Sequence, residues 1–172
     1  MCNMTDFVFL WQLNQKFMRW MPEDFYYKHL ETLDVLRMVR IFSNEAADIE
    51  LRNRLSKHPR NNGRDNTVHE ELADTLMLAL TVLPPPEEWV SQLCDDDDVS
   101  MDSICDMANQ AVVLFAAGSS VWFLWPADLV AVIARYPGMA VEFELCKCWH
   151  RLAWKHASKA MDSYPEGLKI WQ

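Results

Sequence analysis

The chain is 172 residues long and 51% hydrophobic, and its 16 Lys and Arg against 25 Asp and Glu leave a formal net charge of −9. That length fits one domain spanning residues 1–172 with ample apolar content for a core, and the acidic balance argues against unaided binding to nucleic acid. Only four glycines and no sustained Val/Thr alternation argue against a sheet protein and predict an all-α chain. Five cysteines form an odd number, and no basic n-region precedes Asp6 and the aromatics that follow it. Free thiols in a reducing cytoplasm are therefore expected.

The first predicted helix, Asp6 to Trp20, sets Phe7, Leu10, Trp11, Asn14 and Phe17/Met18 at helical spacing. Met21-Pro22-Glu23 reads as a break, with a new helix starting at Pro22 and unbroken to about Leu55. Residues 56–66, SKHPRNNGRDN, are the clearest loop in the chain. Asn66 or Thr67 is the predicted N-cap of a helix from Val68 to Leu83, which the prolines at 84–86 stop. Glu87 to Cys94 reads as a short helical piece. Asp95 to Asp98 lacks the alternating ligands, central Gly and closing Glu of an EF-hand, and reads as a solvated loop. Further helices are predicted over roughly 99–117, 126–136 and 139–162, jointed at Pro126 and Pro137-Gly138. The apolar run from Ala111 to Ala134 is interrupted by Gly118, Ser119, Ser120, Pro126 and Asp128. It falls short of the ~20 apolar residues of a membrane span. The segment after Gly167 is expected to be a mobile tail.

Two acidic pairs, Glu45-x-x-Asp48 and Glu71-x-x-Asp74, lie inside apolar helical runs. Residues three apart on a helix share a face about one turn apart, so each pair projects two carboxylates in one direction. If the two helices pack antiparallel, four carboxylates meet. Buried charge of that density must be neutralised, and hard cations such as Mg²⁺ or Mn²⁺ prefer oxygen ligands of this kind. A metal site between two helices that handles phosphate follows. A third pair, Glu31-x-x-Asp34, reads as a solvated face, and Glu50 and Glu70 only support the main pairs.

The stretch Ile41-Phe-Ser-Asn-Glu-Ala-Ala-Asp-Ile-Glu50 followed by Glu70-Glu-Leu-Ala-Asp-Thr-Leu-Met77 resembles the MazG-like all-α NTP pyrophosphatases. Asp48 stands where that family's first pair ends in Glu. Lys155-His156 and Tyr164-Pro-Glu-Gly167 resemble a tail of the family's phage-type members, although Lys159 and Asp162 occupy positions where the family tends to place Asn and Arg. The resemblance implies a helical bundle with a four-helix core and extra C-terminal helices, assembled as a homodimer or homotetramer. It also implies hydrolysis of a nucleoside triphosphate to the monophosphate and pyrophosphate, with Mg²⁺ (or Mn²⁺ in its place) held by Glu45, Asp48, Glu71 and Asp74. Among phage-type members, dGTP is the first substrate to test.

Phosphate positioning needs cations. Lys57, Arg60 and Arg64 lie in the loop between the acidic helices, where they could close over a triphosphate. Lys147, Arg151, Lys155 and Lys159 repeat every four residues as one basic stripe, from which Lys155 is selected as the phosphate contact. Trp11 and Asn14 on the first helix offer stacking and edge hydrogen bonds to a base. Cys146-Lys-Cys148-Trp-His150 has the wrong spacing for a structural zinc site. The alternative function is a non-catalytic helical interaction protein whose acidic pairs make interhelical salt bridges with the basic stripe.

Overall fold

The computed structural model describes residues 4–28, 68–92 and 124–169, with positions 44, 48, 51, 100, 103, 104, 106, 107, 110 and 117. Among these residues there are four bounded α-helices and no strand, consistent with an all-α chain: α1 (Met4–Trp20), α2 (Val68–Val82), α3 (Leu124–Ala134) and α4 (Val141–Ala157). From Leu72 to Val82 the buried positions of α2 are apolar except for Thr75 and Thr81. A helix that is apolar all round must be enclosed, and α1, α3 and α4 all pack against α2. The two threonines satisfy their hydroxyls within the helix, Thr75 donating to the Glu71 carbonyl at 3.1 Å and Thr81 to that of Met77 at 2.7 Å.

Helix α1 begins with Asp6 in its first turn and ends with Arg19 in its last, both suited to the helix dipole. Phe7, Leu10, Leu13, Asn14, Phe17 and Met18 are its buried face, and Asn14 bonds to Met77 and Thr81 in the C-terminal half of α2. There the prolines prevent α2 from continuing and leave its last carbonyls without helical donors. Side chains of α1 supply them: Gln15 Nε2 donates to Leu80 O at 3.4 Å, and Trp11 Nε1 donates to Leu83 O at 3.1 Å.

After α1, the chain makes tight i→i+3 turns. The Phe25 amide donates to Pro22 O and the Lys28 amide to Phe25 O, both at 3.0 Å. The α-helix expected to open at Pro22 is thus corrected through residue 28. Phe25 turns inward, 3% exposed, with its ring edge-on to Phe17 at 6.3 Å. Of the helical piece expected over Glu87 to Cys94, the part through Gln92 is two short 3-10 turns, Pro86–Glu88 and Val90–Gln92, and residues 93–94 lie outside the described residues. Between them the wholly buried Trp89 donates its indole N–H to Pro84 O at 2.9 Å.

Helix α3 carries Pro126 in the first turn of its described part, where no helical N–H is lost. Gly138 (φ +77°) makes the turn into α4 in a backbone conformation that L-residues rarely adopt. His69 at the start of α2 closes that turn, Nε2 lying 3.1 Å from Pro137 O. Helix α4 ends at Ala157 and tightens into a 3-10 segment, Ser158–Ser163. The tail beyond it is packed through Lys169, where a mobile end is expected, and residues 170–172 lie outside the described residues. Tyr164 is 4% exposed and Leu168 is fully buried, Trp20 Nε1 donates to Ser163 Oγ at 3.1 Å, and Lys169 pairs with Glu166. No helix among the described residues is long and apolar enough to cross a membrane.

Candidate functional site

Between α2 and α4 lies a cleft of about 380 Å³, a volume within the range of small-molecule sites. Glu70 and Asp74 come from α2, one turn apart, and Glu144, Lys147, Cys148, His150, Arg151 and Trp154 come from α4. Lys147 Nζ lies 2.6 Å from Glu70 Oε1 and 3.1 Å from Glu144 Oε2. One turn further along both helices, Arg151 Nη2 donates to both carboxylate oxygens of Asp74. The two pairs advance together, so α2 and α4 run in the same sense at this seam. Trp154 is 57% exposed at the rim, and its indole N–H donates to His150 Nε2 at 3.0 Å.

Burial pushes the Asp74 carboxyl above its ordinary range, and Arg151 and the Cys148 thiol, which both bond to it, only partly offset that. Burial opposes the charge on Lys147, but Glu70 and Glu144 outweigh it and raise the ammonium. Burial lowers His150. Cys146, on the buried face of α4, is pushed up to about 12 by burial with Glu142 adding to the effect, so it remains a thiol at neutral pH.

The expected site residues are distributed unequally. Asp74 lines the cleft. Glu71 is 6% exposed on the same helix but outside the cleft lining, because Glu70, four residues before Asp74, faces α4 in its place. Asp48 is helical and exposed. Glu45, Lys57, Arg60 and Arg64 lie outside the described residues, as do Glu31 and Asp34. Among the described residues no three His, Cys, Asp or Glu come together as a metal-binding group. Of the expected donors, Asp48, Glu71 and Asp74 can be placed; their carboxylates are of the kind hard cations take, and Asp74 is already paired with Arg151.

Of the two base contacts expected on α1, that of Asn14 is corrected. Asn14 is fully buried. Its Nδ2 donates to Thr81 Oγ1 at 3.0 Å and to Met77 O at 3.4 Å, while Oδ1 accepts from Trp149 Nε1 at 3.0 Å. No edge remains for a base. Trp11 is half-buried, and its one polar atom serves Leu83 O. Lys155 is exposed and outside the cleft lining. The register that sets Lys147 against Glu70 and Arg151 against Asp74 brings Lys155 level with Leu78, which has no charge to offer. Spacing alone therefore finds the stripe but not which of its members line the cleft. Lys147 and Arg151 are legible only as members of the stripe and Glu70 only as a supporting acid, His150 and Trp154 are not singled out for this cleft, and the usable signal is the shared four-residue step of Glu70/Asp74 and Lys147/Arg151. The chain matches no family model, no curated protein and no solved structure.

Proposed function

We propose that the chain is a MazG-like nucleoside triphosphate pyrophosphohydrolase, dependent on Mg²⁺ or Mn²⁺ and working as a homodimer or homotetramer. It converts a (d)NTP, dGTP first among those to test, to the (d)NMP and pyrophosphate. The observation that carries the reading is Asp74, from the most specific part of the acidic motif, standing in a small-molecule-sized cleft opposite Lys147 and Arg151. Glu71 and Asp74, with Asp48 and Glu45, would hold the metal. When bound, the metal would offset the phosphate charge and lower the pKa of a coordinated water. Lys147 and Arg151 would position the phosphates, Arg151 with its planar fork of donors. Trp154 presents an exposed aromatic surface on the same helix, suited to stacking on a base.

The test is incubation with each dNTP and NTP plus Mg²⁺, separating pyrophosphate from orthophosphate. Glu71→Gln and Asp74→Asn should each lower pyrophosphate release by about two orders of magnitude while leaving the helical circular dichroism unchanged. Near-wild-type turnover in either variant removes that residue from the site. The second reading, a helical interaction protein, is favoured by one observation: the acids of α2 meet the bases of α4 directly, as Lys147–Glu70 and Arg151–Asp74. It predicts no phosphate release from any nucleotide and no response to Mn²⁺ in calorimetry.

A further inference from the structure

Trp154 is exposed at the rim of the cleft, yet its indole is tied down. Its N–H donates to His150 Nε2, one turn back along α4. The direction of that bond depends on where the imidazole points, and a second contact fixes it. Tyr164, in the tail beyond α4, packs on His150 with ring centroids 5.6 Å apart and planes at 70°. About two turns of helix separate His150 from the end of α4 at Ala157, and the 3-10 segment Ser158–Ser163 turns the chain back over that distance. Tyr164 is itself fixed from behind. It lies edge-on to Trp20 at 5.2 Å, and Trp20 Nε1 is bonded to the adjacent Ser163. The Tyr164 hydroxyl is buried and makes no hydrogen bond among the described residues. A buried hydroxyl without a partner costs stability, so it is the ring that the contact with His150 uses.

We infer that the docked tail is part of the cleft: Tyr164 holds the His150 ring, and His150 holds the Trp154 indole in one orientation at the rim. Tyr164 and His150 are positioning residues, and only Trp154 faces a ligand. An indole fixed in advance loses no rotamer freedom when a flat ligand stacks on it, a gain of about two- to tenfold in affinity. That the flat ligand is a nucleobase rests on the nucleotide reading above; the fixed orientation does not.

The test uses the full chain and two readouts. One is the ¹H–¹⁵N resonance of the Trp154 indole, one of eight tryptophans, identified by its loss in Trp154→Phe. The other is calorimetry with non-hydrolysable α,β-methylene dGTP in Mg²⁺. Tyr164→Ala and His150→Phe should both move the resonance to that of a free, water-exposed indole and weaken the analogue about two- to tenfold. Tyr164→Phe should match wild type in both readouts, because it keeps the ring and removes only the unbonded hydroxyl. Circular dichroism checks folding, and Tyr164→Leu keeps the apolar bulk if Tyr164→Ala does not fold. An unmoved resonance in folded Tyr164→Ala or Tyr164→Leu overturns the hold of the tail on the cleft, and one in His150→Phe overturns the link to Trp154. If Tyr164→Phe behaves like Tyr164→Ala, the role of the ring is overturned. A moved resonance with unchanged analogue affinity overturns the stacking role alone. Absence of analogue binding in wild type overturns the nucleotide reading, and the resonance then decides the positioning by itself.

Discussion

With its carboxamide enclosed by Met77, Thr81 and Trp149, Asn14 joins α1, α2 and α4 through both ends of one side chain. Removing it strands the Trp149 indole N–H in a dry core, where an unmade bond costs more than a made one contributes. Asn14→Ala is expected to lower stability by about 2–3 kcal/mol, read from the urea midpoint, and Asn14→Asp to do no better, because its charge would be buried. A loss of only a few tenths would mean that water reaches the site. His150 sets a pH dependence. Its Nε2 accepts from Trp154 and so carries no proton, and burial lowers its pKa below the ordinary 6.5. In the window below 6.5 the unfolded chain binds more protons than the folded one, so stability falls as pH falls. The melting temperature should drop as pH falls through about 6.5, the unfolded value, and His150→Asn should flatten that drop. Parallel slopes in the two proteins would show that other groups are responsible.

Helix boundaries followed the sequence most closely where the signals were chemical and local. The prolines at 84–86 end α2, and Pro137-Gly138 makes the turn before α4. Boundaries were misjudged where distant packing decided them. Pro22 looked like a helix start, but Phe25 is drawn into the core by Phe17. Gly167 looked like the beginning of a loose end, but Leu168 is buried against α1 and α4. The candidate site divides the same way: the Glu71/Asp74 helix was legible from spacing. Which bases meet it was not, because that depends on the register between two helices far apart in sequence. The tail therefore supplies an expected outcome of its own. Leu168→Ala should cost about 2–4 kcal/mol as a core truncation, whereas Lys169→Ala, which breaks only the pair with the exposed Glu166, should change the melting temperature little. Equal small effects would mean that the tail is not docked in solution. Along α4, Arg151→Ala should reduce turnover more than Lys155→Ala, since only Arg151 lines the cleft, and the reverse order would restore Lys155 as the phosphate contact.

At the scale of the whole molecule, one surface property bears on assembly. Phe9 (45%), Tyr26 (51%), Phe143 (41%) and Trp154 (57%) remain exposed as large apolar side chains on a single copy. Association into a dimer or tetramer would cover part of that surface, and sedimentation at micromolar concentration should give a multiple of the 20.1 kDa chain mass. A single species at the monomer mass would count decisively against it. The bond between Asn14 and Trp149 has a further consequence, for synthesis. It joins residues 135 apart in sequence, and α2 depends on α4 for one of its walls. A nascent chain on the ribosome therefore exposes the apolar helices α1 and α2 until α4 has emerged. Long-range closure of this kind is slow and leaves the growing chain open to aggregation. Ribosome-arrested chains ending before residue 149 should be cleaved readily by protease and retained by chaperones, with resistance appearing only once α4 and the docked Leu168 have cleared the exit tunnel.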